Sequence, residues 1–305
     1  MSNQIVGPEV EGLLRWDRMT DALEAGHRMP RAEIGDTFLY SGANTLLSRS
    51  AWIAGMGLAV KSATIFPGNR ARNLPAVNGA VNLYSDTTGE LEALVDFGVV
   101  TKWKTAGDSL LSARKLARAD SRVILLVGAG AVAHSMVEAY GSAFPGAQFI
   151  VWNRTASGAA QFAASVPGMT MTSDLESAVR AADIIATATM SHEPLIKGEW
   201  LSPGTHLDLI GAYTPAMREV DDVALKRARI FVDSRASVLD HIGELKEPLE
   251  RGVISRSDVV ADFYDMAGGA YTRRSASEIT IAKNGGGAHL DLMTARYVLE
   301  AWRAR

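Results

Sequence analysis

The segment Ile124-Leu-Leu-Val-Gly128-Ala-Gly130-Ala131-Val132-Ala133-His134 is an unbroken apolar run that ends in a glycine turn and opens into a helical pattern. A short apolar run closed by glycines reads as a strand buried on both faces, and the pattern after it commits the region to a strand-turn-helix unit. Gly128 permits the tight turn and Gly130 lets backbone approach a ligand closely. The small Ala133, in place of a third glycine, still allows the helix to pack on the strand. Ala131 and Val132 open the helix, whose N-terminus attracts an anion. Together these features predict a dinucleotide pyrophosphate on this turn, and hence a nicotinamide cofactor.

The next strand, Gln148-Phe-Ile-Val-Trp152, ends roughly 20 residues further on, where an NAD-specific site carries Asp or Glu for the ribose 2′-hydroxyl. Asn153 stands there instead, followed by Arg154 and Thr155. A carboxylate repels a 2′-phosphate, whereas these three side chains can donate hydrogen bonds to one, Arg154 with two nitrogens at once. NADP(H) is therefore expected over NAD(H), which stays possible. The alternative is structural: Asn153 caps the next helix and Arg154 is a solvated first-turn residue.

A chain of 305 residues has room for two domains with their own cores, and its composition is that of an ordinary globular protein. A net charge of -3 supplies no general attraction to nucleic acid or anionic membrane, so neither is an expected partner. No apolar run approaches the ~20 residues of a membrane-spanning helix, and the first residues, Met1-Ser-Asn-Gln-Ile-Val-Gly-Pro8, do not read as a secretory leader. The absence of Cys removes disulfides, thiolate metal sites and cysteine nucleophiles, consistent with a cytoplasmic enzyme. The six His (27, 134, 192, 206, 241, 289) show no metal-binding spacing, and no metal is expected.

The pattern from Val10 to about His27 predicts an N-terminal amphipathic helix. Strand-like segments follow at Phe38 to Tyr40, Thr45 to Ile53, Leu58 to Ile65, Ala80 to Tyr84 and Leu91 to Val95, separated by turn residues, and predict an antiparallel sheet. A helix after Thr105 through Leu116 leads into strands and helices in alternation, with strands at Val123, Phe149, Ile184, His206 and Ile230. That alternation predicts a doubly wound parallel α/β sheet. Glu278 to Gly287 and the helix His289 to Trp302 fall outside the alternation and are expected to return to the first domain. The expected organisation is a discontinuous α+β substrate and dimerisation domain (1–106 plus 285–305) around an NAD(P)-binding Rossmann domain (107–284).

Three cations outside the glycine turn are candidates for a substrate site. Lys61 interrupts the strand Gly57-Leu-Ala-Val-Lys61-Ser-Ala where an apolar residue is expected. Lys104 lies in Thr101-Lys-Trp103-Lys104-Thr105, and Arg49 in Leu46-Leu-Ser-Arg49-Ser-Ala. Cations so placed can fix a carboxylate, and a lysine whose pKa is lowered by burial can exchange a proton. Taken singly, each also fits a surface charge.

These segments belong to an ordered series: Ala59-Val-Lys61, Pro67-Gly-Asn69, Leu74-Pro-Ala, Thr88-Gly89-Glu, Thr101-x-x-Lys104-Thr105-Ala, Gly128-x-Gly130, Ala182-Asp183-Ile-Ile-Ala-Thr187-Ala-Thr189, Trp200-Leu-x-Pro203-Gly204, Gly211-Ala212, Arg218-Glu219-Val-Asp221 and Glu278-Ile-Thr280. In order and spacing the chain resembles the ornithine cyclodeaminase and mu-crystallin family over nearly its whole length. The resemblance implies a homodimer built through the first domain, a Rossmann domain holding NAD(H) or NADP(H), and chemistry at an amino or imino carbon beside a carboxylate. It implies further that Lys61 is the active-site lysine and that Thr187, Thr189, Ile210 and Gly211 line the cofactor. Lys104 stands where most members have an arginine that grips the substrate carboxylate, so the charge is kept and the fork geometry lost. The family's arginine on the first strand has no counterpart in Phe38 to Tyr40, and Arg49 is the candidate to replace it. Tyr213 occupies the position of the acid/base aspartate of cyclodeaminases, and Asn284 that of a serine near the nicotinamide.

The expected function is reduction of a small α-imino carboxylate, or its reverse on an α-amino carboxylate, by an NAD(P)-dependent oxidoreductase. Lys61 and Lys104 hold the carboxylate and Lys61 or Tyr213 handles the proton. Three cations facing one pocket suit a dicarboxylate such as iminosuccinate. The alternatives are a redox-neutral ornithine cyclodeaminase and a non-catalytic NADPH-dependent small-molecule binder.

Overall fold

The computed structural model describes residues 4–305, which form two compact units, Thr105–Gly286 and the remainder, the latter made from the chain up to Lys104 together with Gly287–Arg305. The first unit begins with β1 (Gln4–Val6), a 3-10 turn at Pro8–Leu13 and α1 (Trp16–His27). One helix over Val10 to His27 was the expectation from periodicity. Leu14 and Arg15 are extended instead, which ends the turn and restarts the helix so that Val10 and Trp16 are both buried. Trp16 then stacks on Trp103 with ring centroids 3.9 Å apart.

Five further strands, β2 (Glu33–Ser41), β3 (Asn44–Ile53), β4 (Gly57–Ile65), β5 (Val77–Tyr84) and β6 (Leu91–Asp96), complete a sheet of order β1-β6-β5-β4-β3-β2. Only β1 against β6 is parallel. The period of two places Ala59, Lys61 and Ala63 of β4 on the buried face, so the lysine is in phase with the core. The helix α2 (Phe97–Leu116) starts eight residues before the expected Thr105. Its first residues, Phe97-Gly-Val-Val, have strand-like propensities, but Asp96 Oδ1 accepts the Val99 N–H at 2.8 Å and nucleates the helix at the strand's end.

The second unit runs β7 (Val123–Val127), α3 (Ala131–Ala143), β8 (Gln148–Trp152), α4 (Ala156–Ser165), β9 (Thr170–Met171), α5 (Leu175–Ala181), β10 (Ile184–Thr187), β11 (His206–Leu209), α6 (Asp222–Arg227), β12 (Arg229–Val232), α7 (Arg235–Val238), α8 (Gly243–Glu250), β13 (Val259–Ala261) and β14 (Thr280–Lys283). Its strands pair in parallel in the order β13-β12-β14-β11-β10-β7-β8-β9. Chain order runs outward in opposite directions from β7 and β10, so these two strands mark the switch point where a doubly wound sheet binds its ligand. Leu125, Val127, Ile185, Leu207, Leu209, Ile230 and Ile281 form the core around it.

The place of β14 corrects the expectation that Glu278 to Gly287 lies outside the parallel alternation: Thr280–Lys283 is inserted between β11 and β12 and is wholly buried. Its polar residues disguised it. Thr280 Oγ1 meets His206 Nδ1 at 2.9 Å, and Lys283 Nζ donates to the carbonyls of Leu209 and Asn284 at 2.7 and 2.8 Å. Both polar groups are satisfied inside the sheet, so they resist burial less than their composition suggests. The chain then returns to the first unit as α9 (Ala288–Arg303), packed on β3 and β4. Among the described residues no helix is long and apolar enough to cross a membrane.

Candidate active site

In the first unit the antiparallel register builds a row of charge across the sheet. Asp36 of β2 is opposite Arg49 of β3, and Arg49 is opposite Lys61 of β4. Arg49 grips Asp36 through Nε and Nη2 at 2.9 to 3.1 Å, a bidentate pair that commits much of its charge. Lys61 Nζ donates to Thr101 Oγ1 of α2 and to Asp291 Oδ1 of α9, each at 2.9 Å, and lies 4.7 Å from the Phe97 ring centroid. Burial lowers the Lys61 pKa from its usual value; Asp291 pushes it back up, while Lys104 and Arg49 push it further down. Lys104 is partly buried and makes no hydrogen bond or ion pair among the described residues. The two histidines packed edge to face behind this row, His27 and His289, are both held neutral chiefly by burial, His27 at about 4.

The second unit supplies a cleft of about 330 Å³ lined by Gly128, Gly130, Asn153, Arg154, Thr189 and Ser191, among others, at the carboxyl ends of β7, β8 and β10. Gly128 has φ +111°, and a Cβ there would lie 2.6 Å from the Ala188 carbonyl oxygen, so only glycine closes this turn without strain. A Cβ on Gly130 would meet nothing within 4 Å, and Gly130 caps α3 with no side-chain hydrogen bond. The first amides of the helix, including those of Ala131 and Val132, are therefore free of a side-chain cap. An open glycine before an uncapped helix N-terminus fits a pyrophosphate, and Ala133 is buried against the sheet as the small residue required there. Asn153 Nδ2 is pinned to Thr155 O and Oγ1 at 3.2 and 3.0 Å, whereas Arg154 is exposed and has no partner among the described residues.

The remaining expected residues are distributed unevenly. Thr187 is fully buried, its hydroxyl 3.5 Å from the Asp208 carbonyl oxygen and absent from the cleft lining. Ile210 is half-buried after β11, its N–H bonded to the Thr187 carbonyl. The Asn284 amide is turned inward, donating to Asp108 at 2.7 Å and meeting Ser109 at 3.5 Å. Tyr213 is 61 % exposed.

Thr189 and Gly211 converge on Glu219 of the segment Arg218-Glu219-Val-Asp221, a residue whose role is not legible in the sequence. Glu219 accepts hydrogen bonds from the Thr189 N–H and hydroxyl (3.0 and 2.7 Å) and from the Gly211 and Ala212 N–H groups (2.8 and 3.2 Å). It thereby ties the turn after β10 to the turn after β11. Glu244 accepts the Glu219 and Val220 N–H groups, Asp233 accepts those of Gly285 and Gly286, and the buried Lys283 ammonium is the cation that offsets these carboxylates.

Four carboxylates, Glu219, Glu244, Asp233 and Asp108, around one ammonium favour retaining a proton. Burial, then the charge of Glu219, push Glu244 from 4.5 up to about 7. A carboxyl whose folded pKa is raised stabilises the fold fully below its unfolded value, and that contribution is lost as pH rises toward the folded value. Denaturant unfolding between about pH 4.5 and 7 should therefore show stability falling with pH from this site. Glu244→Gln should flatten that slope, and an unchanged slope would remove Glu244 as its source.

Asp291 and Thr101 were missed because their partner Lys61 lies 230 and 40 residues away in the chain, and Asp36 because its partner Arg49 is set by the β2–β3 register. One signal was present: Asp291 interrupts the apolar stretch Ala288 to Ala295 of α9, a carboxylate on a buried face that needed a cation.

Two kinds of comparison bear on this arrangement. The family model of the ornithine cyclodeaminase/mu-crystallin family matches residues 51–305. A Delta(1)-pyrroline-2-carboxylate reductase of Paracoccus denitrificans is 48 % identical over 296 residues, 95 % of this chain and 94 % of that protein. Among solved structures, an archaeal alanine dehydrogenase dimer with bound NAD superposes with a TM-score of 0.89 at 30 % identity, covering 100 % of this chain and 97 % of its own. The iminosuccinate reductase of Paracoccus denitrificans in complex with NAD+ superposes with a TM-score of 0.88 at 26 % identity, covering 99 % and 97 %. The match extends across both units and includes the lysine strand, the glycine turn and the C-terminal helix, and the chain belongs to the ornithine cyclodeaminase/mu-crystallin family.

Proposed function

We propose that this chain, an NAD(P)-dependent oxidoreductase acting on carbon–nitrogen groups, reduces a small cyclic α-imino monocarboxylate of the Δ1-pyrroline-2-carboxylate class, with NADPH preferred. The observation that carries the reading is the charge balance of the row in the first unit. Lys61, Lys104 and Arg49 face two carboxylates, Asp36 and Asp291, and both nearby histidines are neutral. Among the described residues of this row one positive charge is left over, which suits a monoanion. A dicarboxylate such as iminosuccinate would bring one charge more than the row can neutralise, because Arg49 is already committed to Asp36. The pyrroline-2-carboxylate reductase at 48 % identity supports the same class.

Bound at the glycine turn, the reduced nicotinamide would supply hydride to the imine carbon. Imino acid, NADPH and one proton become amino acid and NADP+. Lys61 and Lys104 fix the carboxylate, so the imine carbon is presented in one orientation and the entropy of alignment is lost on binding rather than in the chemical step. Tyr213, exposed and standing at the position of the cyclodeaminases' aspartate, is the hydroxyl we assign to proton donation. Ornithine cyclisation needs a carboxylate base where Tyr213 stands, and a phenol is no equivalent of it. The purified protein should oxidise NADPH with the cyclic imine and release no ammonia from L-ornithine; the opposite pair of results would establish the cyclodeaminase. Lys61→Met and Lys104→Met should each lower kcat/KM for the imine at least about tenfold, the size of one 1.4 kcal/mol contact, while cofactor affinity is unchanged. Wild-type rates from both variants would move the carboxylate site elsewhere.

NADPH is favoured because Arg154 is exposed and unpartnered at the cleft while no carboxylate stands at Asn153 to repel a 2′-phosphate. Arg154→Ala should weaken NADPH binding by roughly 1 to 3 kcal/mol and leave NADH nearly unchanged, as read by fluorescence titration of both. Tighter NADH than NADPH in the parent protein would reverse the assignment.

A homodimer is also part of the proposal. The edge strand β2 exposes Ile34, Phe38, Leu39 and Tyr40 at 49, 48, 61 and 72 %, a long apolar edge that a monomer in water rarely leaves open. Sedimentation at micromolar concentration should give twice the 32.6 kDa chain mass, and a monomer there would contradict it.

A further inference from the structure

We propose that Asp291 is a positioning residue for the reaction: it keeps the Lys61 ammonium charged and holds it so that one N–H is left for the substrate carboxylate. The inference rests on the reading of Lys61 as a carboxylate anchor.

An ammonium has three donors. One N–H of Lys61 goes to Thr101 Oγ1 and one to Asp291 Oδ1, each at 2.9 Å, and the Phe97 ring lies beside the head group. The third is uncommitted, and Lys61 keeps 8 % of its surface exposed. The electrostatic setting works against that charge. Lys104 approaches from α2, Arg49 from the neighbouring strand β3, and the site is buried. Asp36 offsets Arg49 but is bonded to it rather than to Lys61. Asp291, from α9, is the carboxylate in contact with Lys61, and its neighbour on that helix, His289, is neutral and supplies no charge of either sign.

Without Asp291, Lys61 would shed its proton at a lower pH, and a neutral amine grips a carboxylate weakly. The carboxylate also sets direction. Asp291 is 1 % exposed on a helix whose buried stripe packs against β4, so it has little freedom to follow a moving lysine. Its Oδ2 has no hydrogen-bond partner and stays an acceptor on the buried side of the site. A carboxylate left half-satisfied in a core is costly. That cost is accepted where the charge serves another group.

The test is the pH profile of kcat/KM for the cyclic imine in Asp291→Asn, measured on the NADPH-loaded enzyme. Activity that needs the Lys61 ammonium falls as pH rises through its pKa, and loss of Asp291 lowers that pKa, so the alkaline limb should move to lower pH by at least about one pH unit. The effect should lie mainly in KM, with NADPH affinity unchanged, and Asp291→Glu should restore part of the limb. A purely structural role would lower activity at every pH without moving the limb, and a limb coincident with that of the parent enzyme overturns the proposal. If Asp291→Asn does not fold, or if no imine is reduced at all, the charge state is read directly in the parent protein by NMR of ¹³C-labelled lysine, with the Lys61 signal assigned by Lys61→Met. An ammonium at pH 7 supports the inference, and a neutral amine there overturns it whatever the substrate proves to be.

Discussion

A lysine on the buried face of a sheet is tolerated only if a carboxylate comes to meet it, and in the first unit that carboxylate arrives from the far end of the chain. Removing one member of a buried pair typically costs several kcal/mol, because the other is left charged and unpaired. The Lys61–Asp291 contact therefore does more than place a side chain. It requires α9 to leave the parallel domain and pack on β3 and β4, which makes the first unit discontinuous. Hydrophobic burial alone does not explain why this helix has a fixed rotational setting. An aspartate in the stripe Ala288 to Ala295 has one acceptable direction, toward the ammonium.

The second unit repeats the device with the signs reversed. Here the carboxylates outnumber the cation, and Lys283 sits where the turns after β11, β12 and β14 come together. Glu219 and Asp233 spend their oxygens on backbone N–H groups of those turns rather than on solvent. Turns at the carboxyl ends of parallel strands lack regular partners for their amides, and buried amides must be satisfied. Carboxylates that accept two or more amides at once fix such turns more firmly than isolated backbone bonds do. The rim of the cleft at the carboxyl ends of these strands is thereby tied together by groups that do not line it.

Much of this was legible in the sequence, and most of what was not depends on partners remote in the chain. The glycine turn, the strand before it and the alternation after it are local patterns, and Gly128 with its positive φ is the residue such a pattern demands. The parallel sheet followed from them, and the family resemblance from the ordered series of motifs between Ala59 and Thr280. Local reading failed at Phe97, at β14 and at Asp291. Strand-like residues begin a helix at Phe97 because Asp96 caps it. In β14, Thr280 and Lys283 look exposed and are buried because distant carbonyls and His206 satisfy them. At Phe97 a local cap outweighed propensity, whereas in β14 and at Asp291 a partner remote in sequence decided the place of a polar residue. The same blindness made Arg49 look like a free cation until the β2–β3 register set Asp36 opposite it.

That last point bears on specificity more than on fold. A count of cations in the sequence suggests room for two carboxylates, whereas pairing reduces the usable charge to one. Pairing lowers the charge that Arg49 offers a ligand, because Asp36 is fixed directly opposite it on the neighbouring strand and its effective concentration is high, whereas Lys61 bonded to Asp291 keeps a third N–H for a ligand. A second substrate carboxylate would have to outcompete it at both the Nε and Nη2 contacts. Discrimination between mono- and dicarboxylates within one family can therefore rest on a residue such as Asp36, which need not touch substrate at all. On the proposed reading the relevant variable is whether the neighbouring strand supplies a counter-charge, and Asp36 on β2 is the position that supplies it here.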